Sequence, residues 1–286
     1  MVSLVEHYTI AICTQGQNSN LNNVITILNE INKSTKYKFE VLIVLNSSIS
    51  TIETFRNVRI VIEPNLGYSS VRNTALKSVK SSSNLIFIDD DEIPSLTWFE
   101  NLVSMHEKFQ DDIIVGPIYP YREDLLNKQS YRSQFTQMYK SRPDEALVKQ
   151  GATANMLIPA SLISKDVVHF DLYFNKSGSE DTDFCFRVRK AGYAIRYAKY
   201  AEILEIESPE RFDIKYLNKR FIRDVSNYSV VIRRNASIGA QIYRGSTLLA
   251  RVIIFGISQL INRSKSVKFK AYRLSFLCLL TGKVKF

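Results

Sequence analysis

A chain of 286 residues, 45% hydrophobic and 23% charged, has an ordinary globular composition and the length of one large domain or a domain with an appendage. Cys13, Cys185 and Cys278 form no CxxC and His7, His106 and His169 no ligand-spaced cluster, which excludes a zinc motif and fits a reducing compartment. The net charge of +10 is uneven: from Ile214 onward there are fifteen Lys/Arg against one acid, Asp224, so the tail is +14 and the first 213 residues are −4. That asymmetry points to an anionic partner for the tail, a membrane surface or a nucleic acid. No signal peptide is expected from residues 1–13, and no apolar run of about 18 residues suggests a transmembrane helix.

Along the chain, apolar strand patterns alternate with helical ones. A strand is expected over 8–14. A helix follows over 21–33, where Leu21, Val24, Ile25, Leu28 and Ile31 share one face. Strands over 39–45 and 58–62 come next, then a helix over 69–79 with Ser69 as a candidate cap. The fourth strand, 85–88, precedes a helix opened by Pro94 and running to about Phe109. A fifth strand covers 113–115. Residues 121–150 are polar, aromatic-rich and aperiodic, as in a substrate loop or short helices. Beyond them lie a strand over 155–159, a helix over 181–191, and short strands over 194–198 and 202–206. After Pro209 the pattern is helical, in pieces over 213–236, 246–262 and 266–281. Strand–helix alternation with buried strands means an α/β layered sheet.

Two constellations carry chemistry. The first is Leu85-Ile86-Phe87-Ile88-Asp89-Asp90-Asp91-Glu92. Parallel strands end in clefts where ligands bind. Four acids there repel one another unless a cation sits among them. Mg²⁺ or Mn²⁺ takes such oxygen ligands together with substrate phosphates. The same run is also compatible with an acidic, solvated loop that follows a strand. The second is Gly178-Ser179-Glu180-Asp181-Thr182-Asp183-Phe184, a turn into a helix with three acids in its first turn. Acids there suit the helix dipole. Asp181, however, is in register with Phe184, Cys185 and Val188, which places a carboxylate on the inward face.

Several fragments occur together over roughly 8–223. They are Ile12-Cys13-Thr14, Asn65-Leu66-Gly67 with Arg72-Asn73, and Phe87-Ile88-Asp89-Asp90-Asp91. They continue with Gly116-Pro117, Ala154-Asn155-Met156-Leu157, Glu180-Asp181-Thr182-Asp183-Phe184, Arg187 and Lys190-Ala191-Gly192-Tyr193. In this order and spacing the set resembles the family 2 glycosyltransferases. The resemblance implies a GT-A fold, an α/β Rossmann-like nucleotide-diphospho-sugar transferase sheet, over 1–212. A basic helical C-terminal extension would follow over 213–286.

The resemblance also implies roles. Asp89, Asp90 and Asp91 correspond to a DxD motif, with Asp91 and Asp89 on Mn²⁺ or Mg²⁺ and Asp89 and Asp90 towards the donor. The metal would neutralise the leaving diphosphate. Asp181 of the Glu180-Asp181 pair corresponds to the general base that deprotonates the acceptor hydroxyl, giving inversion at the sugar carbon. Thr14, Asn46, Arg72 and Asn155 are candidate donor contacts, with Arg72 also holding the acids; an exposed helix arginine is its plainer reading. Glu205 stands where the family often has a metal-ligating histidine, or is a partly exposed strand glutamate. Arg220 and Arg223 resemble loosely a basic segment that closes over the diphosphate. Two departures touch nucleotide recognition. Leu45-Asn46 stands where many members have a base-reading Asp, and Thr14-Gln15-Gly16-Gln17 replaces Thr-x-Asn-Arg. A UDP-sugar is the default donor, with guanosine and thymidine donors open.

The tail alternates basic residues with Val267, Phe269, Tyr272, Leu274, Phe276 and Leu277. A basic amphipathic helix lies at a lipid interface; a packed helical cap and a nucleic-acid arm are the other readings. The tail beyond about Gly245 is expected to be separable from the sheet. The whole reads as an inverting, metal-dependent glycosyltransferase, peripheral on the cytoplasmic face of the cell membrane. It would act on a saccharide or lipid-linked saccharide in bacterial surface polysaccharide synthesis, without nucleic acid. A sugar-phosphate nucleotidylyltransferase, or a non-catalytic carbohydrate- or membrane-binding module, is the alternative.

Overall fold

The computed structural model describes residues 7–16, 20–47, 58–121, 142–206, 208–261 and 266–284. Its strands are β1 (His7–Thr14), β2 (Phe39–Leu45), β3 (Val58–Ile62), β4 (Ser83–Asp89), β5 (Glu92–Pro94), β6 (Ile113–Val115), β7 (Ile118–Tyr121), β8 (Asn155–Ile158), β9 (Ile195–Tyr197) and β10 (Ile203–Ile206). Among the described residues seven of them form one sheet in the order β3-β2-β1-β4-β8-β6-β9. Only β8 runs against its neighbours β4 and β6. β5, β10 and β7 form a smaller sheet. Most of the expected loop over 121–150 lies outside the described residues.

The helices are α1 (Leu21–Ser34), α2 (Tyr68–Ser78), α3 (Trp98–Lys108), the short α4 (Ala160–Ile163), and α5 (Glu180–Lys190). Three more follow at the C-terminal end: α6 (Ile214–Asn235), α7 (Ile238–Ile261) and α8 (Ser266–Thr281). Successive strand residues point to opposite faces, and the core divides accordingly. Ile10, Ile12, Val41, Ile43 and Ile86 pack with α1 and α3. Ala11, Leu42, Val44, Leu85 and Phe87 pack with α2, α4 and α5. Strands covered on both sides must be apolar throughout, hence runs such as 41–45 and 85–88.

Three expected boundaries shift for tertiary reasons. Pro94 does not open a helix; it closes β5, where Ile203 pairs opposite it, and α3 begins only at Trp98. β5 is an edge strand, where a proline is tolerated. Ser69 is no cap: it lies inside α2 and its hydroxyl donates to the Asp171 carbonyl at 2.8 Å. The capping acceptors come from afar, Asn46 Oδ1 from Gly67 N and Asn175 Oδ1 from Ser70 N, each 2.9 Å. Gly67 stands at φ 142°, and a Cβ there would meet Asn175 at 2.3 Å, so this turn demands glycine. Finally, α7 starts eight residues before the expected 246 and runs through Gly239 and Gly245. Packing overrides their weak helix propensity.

The C-terminal helices are partly built into the domain. Val230 and Val231 of α6, Cys278 of α8 and Phe174 form one buried cluster. Ile232, Leu248 of α7 and Leu279 form another. The tail beyond Gly245 is therefore not a free appendage, because α8 covers the inner face of α6.

Candidate active site

The C-terminal ends of β1, β2 and β4 lie side by side, with Thr14 opposite Leu45 and Cys13 opposite Asp89. The chain reverses after β4 through Asp90 and Asp91 into β5, so the four consecutive acids do not point one way. Glu92 turns inward, almost fully buried, and accepts the Asp89 amide at 2.9 Å. Burial and the charge of Asp89 hold its carboxyl well above the usual range. Asp90 accepts a hydrogen bond from the Thr14 hydroxyl, which in turn accepts Gly16 N–H at 2.9 Å. Two of the candidate donor contacts, Thr14 and Asp90, thus share one corner.

Asp91 faces the small sheet. There β10 runs antiparallel to β5 and sets Glu205 opposite Glu92. Burial and the neighbouring Asp89 and Glu205 push the Asp91 carboxyl up to about 7, against the pull of Arg211. Arg211 lies 2.7 Å from Glu205 and 3.5 Å from Asp91. It is the cation this corner requires, and the motif reading missed it; the signal was a lone arginine six residues past Glu205, after a proline. The donors are all carboxylate oxygens, the kind Mg²⁺ and Mn²⁺ take. Among the described residues, though, no three acidic, histidine or cysteine side chains are gathered closely enough to hold a metal ion.

Arg72 joins the two constellations. Nearly buried on α2, it pairs with Glu180 and lies 3.7 Å from Asp89. It is not an exposed helix arginine. Asp89, Glu180 and Asp181 all raise its proton affinity, so it stays charged.

At the start of α5, Asp181 is partly covered and is not the deepest of the acids. The deeply buried acids are Glu180, 5% exposed, and Asp183, 1% exposed, while Asp181 is only half covered. Glu180 is taken by Arg72, and burial outweighs that pairing to push its carboxyl up to about 7. Asp183 is held by Arg187 at 2.7 Å and by Asn235 of α6, also 2.7 Å. Asp181 accepts only from Thr182, its amide at 2.6 Å and its hydroxyl at 3.3 Å. It has no ion pair among the described residues, and burial raises its proton affinity. The turn aiming it contains Gly178 at φ 77° and Ser179 at φ 72°, a left-handed pair that costs strain at the serine. Asn227, buried on α6, donates to the Ser177 and Gly178 carbonyls at 2.9 and 3.1 Å. No sequence pattern pointed to Asn227.

Asn155 does not belong with the donor contacts. It is 0% exposed; its amide donates to the Pro117 and Ala201 carbonyls and accepts Trp98 Nε1–H, all within 2.9 Å. It is a bracket joining β8, α3 and both sheets. Asn46 is likewise committed: its amide donates to the Glu63 and Asn65 carbonyls at 3.0 and 2.9 Å and its oxygen receives Gly67 N–H. It shapes the turn before α2 and has no amide proton left for a ligand. Arg220 and Arg223 lie on α6 beside Asp224, 3.6 and 3.1 Å away, and Asp224 is close enough to Asp181 to raise its proton affinity further. A cavity of about 510 Å³ between α2 and α4, lined by Asn73, Lys77, Ser164 and His169, contains none of the expected site residues.

A mostly parallel sheet, acids at the end of its fourth strand, and a second acid pair tied to them by a buried arginine define an α/β fold with an acidic cluster at its strand ends. Residues 9–169 match the family described as Glycosyl transferase family 2. That is more than half of the chain, and the chain belongs to this family: it is a glycosyltransferase. It is 24% identical over 246 residues to the succinoglycan biosynthesis protein ExoM of Rhizobium meliloti (strain 1021), covering 80% of this chain and 76% of ExoM. Its fold is similar to S. aureus TarS 1-349 in complex with UDP-GlcNAc, with TM-score 0.53 and 11% identity over 97% of this chain and 92% of that one. A second S. aureus TarS structure gives TM-score 0.52 and 12% identity over 96% of this chain and 55% of its own length. At such identities the structural likeness concerns the fold alone. Family membership sets aside the nucleotidylyltransferase reading.

Proposed function

We propose that this glycosyltransferase moves a sugar from a nucleotide-diphospho-sugar, a UDP-sugar by default, to a saccharide hydroxyl with inversion. The observation that carries it is the contrast within one helix turn. Glu180 and Asp183 are ion-paired with Arg72 and Arg187, while Asp181 makes no ion pair among the described residues, although Arg72 is near enough to act on its charge. Asp181 takes the acceptor proton as the hydroxyl attacks the anomeric carbon; the sugar–phosphate bond breaks on the opposite side, and the nucleoside diphosphate leaves with the bonding pair. Arg72 keeps Glu180 and Asp89 in place. Arg211, with Arg220 and Arg223 on α6, offers guanidinium groups suited to a diphosphate. Asp91, Asp89 and Glu205 do not by themselves form a three-ligand metal group; one or two of these carboxylates, together with the donor's own phosphate oxygens, would hold Mn²⁺ or Mg²⁺, whose chemistry when bound would be to neutralise the leaving diphosphate.

The ExoM name supports a polysaccharide product, and the TarS complex with UDP-GlcNAc supports a uridine donor. Both come to this chain by similarity. The acceptor is a saccharide or lipid-linked saccharide of a bacterial surface polymer, reached at the cytoplasmic face of the membrane. Among the described residues no helix is long and apolar enough to cross a membrane, so contact is peripheral, through the basic C-terminal helices 213–286.

A thermal-shift screen of nucleotide sugars with and without Mn²⁺ tests this, since a ligand bound only by the folded state raises the melting temperature. One nucleotide sugar should stabilise the protein, more so with Mn²⁺, and Asp91→Ala should abolish the Mn²⁺-dependent part. Full Mn²⁺-dependent stabilisation of a folded Asp91→Ala protein would reject the metal assignment; no response to any nucleotide sugar would reject the donor.

A further inference from the structure

Helix α7 carries its apolar residues outward. Ile238, Ile242, Leu249, Ile253, Ile254 and Ile257 are all exposed, Ile238 by 76% and Ile257 by 58%, and Tyr243 beside them by 73%. Their spacing lays most of them along one stripe of the helix. The inward side is already in use: Leu248 packs with Ile232 and Leu279, and the guanidinium groups of Arg244 and Arg251 lie over the rings of Tyr228 and Tyr272, each 5.1 Å from the centroid. A contiguous apolar face on a protein surface marks a docking site. The surrounding charge selects the occupant. Residues 238–286 hold nine Lys/Arg and no Asp or Glu, and Lys268, Lys270 and Arg273 are exposed on the neighbouring α8.

We propose that the outward face of α7 is a membrane-docking surface: the helix lies in the plane of an anionic bilayer, its isoleucine stripe in the acyl boundary and the basic residues of α8 against the headgroups. An amphipathic helix too short in apolar length to span binds in this way, by apolar burial plus attraction to anionic lipid. A second copy of the chain fits less well, because stacking two such faces would bring two sets of unopposed positive charge together. A nucleic acid would leave the isoleucines in water. The assignment differs from a tail that lies on lipid along its whole length, because α8 turns Ala271, Ser275, Cys278 and Leu279 into the protein. It rests on the reading above that the acceptor is met at a membrane, and narrows that contact to one helix face.

The test uses the full chain in co-sedimentation with phosphatidylcholine vesicles, with and without phosphatidylglycerol, and follows nucleotide-sugar thermal shift in the same preparations. The wild type should bind the anionic vesicles and bind neutral ones more weakly. Ile253→Glu/Ile257→Glu, and independently Ile242→Glu, should lower anionic binding by about tenfold or more with far-UV circular dichroism and the thermal shift unchanged. These positions are exposed and outside the catalytic residues. Three outcomes overturn the inference: a wild type that leaves anionic vesicles unbound, glutamate variants that bind as the wild type does, or a wild-type dimer that the variants dissolve, which would make a second copy the occupant. Each leaves the thermal shift intact. Loss of the nucleotide-sugar response in a chain that still binds vesicles would instead reject the proposed function.

Discussion

Glu180 and Asp181 are adjacent in sequence and opposite in circumstance. Glu180 is enclosed and locked to Arg72, while Asp181 is half covered and held only by Thr182. A base must be able to reach a proton, and that separates the two better than depth of burial does. Asp181→Asn keeps the shape and removes the basic oxygen. Donor binding should stay near normal while turnover drops by about 10²–10⁴, the usual worth of a general base; kcat and a nucleotide-sugar Kd measured on the same protein check this. Simultaneous loss of both would make Asp181 a binding residue. The acid pair was readable as a pair in the sequence. Which member is spent and which is available was not, because Arg72 lies 108 residues before Glu180.

At the scale of elements, the site depends on how α6 seats the start of α5. The left-handed pair Gly178–Ser179 is held by the Asn227 amide, which spans about 50 residues to reach two carbonyls. Asn227→Ala would leave those carbonyls without their buried donor, at a cost of about 1–3 kcal/mol, readable as a lower urea midpoint. Because the loosened turn aims Asp181, kcat should fall as well, with nucleotide-sugar affinity much less affected. Unchanged kcat in the destabilised variant would confine Asn227 to stability. A comparable dependence on distant groups explains the misplaced cap of α2. Ser69 has the right side chain near the right place, yet Asn46 and Asn175 supply the acceptors, and a local pattern registers neither.

For the whole molecule, the question is where the catalytic body ends. Charge divides the chain near residue 213, but packing does not follow charge. Cys278 and Leu279 of α8 complete the clusters around Val230, Val231, Ile232 and Phe174, and Ser275 hydrogen-bonds Ser229 and the Val225 carbonyl in the same interface. A chain ending after Gly245 would expose these side chains, each worth about 1.5–3 kcal/mol of burial. It should melt well below the full chain and lose helix beyond the removed residues, as circular dichroism and calorimetry would show. A truncated protein with the full chain's melting temperature would restore the separable tail. Lipid binding is therefore better tested by single exposed residues of α7 than by deletion.

The sequence by itself determined the alternation of strands and helices, the strands other than β5 and β7, the two acid constellations and the family. Those features are written locally, in period-two and period-3.6 apolar patterns and in short contiguous motifs. Tertiary structure decided which members of each motif are free to act. Glu92 turned inward, Asn155 and Asn46 were absorbed by backbone groups, and Arg211 and Asn227 entered the site from regions with no motif. It also decided that α8 closes the body while α7 shows its isoleucines to solvent. Burial and pairing are properties of neighbours brought together across many residues, and a one-dimensional pattern reports a side chain's chemistry without saying what will surround it.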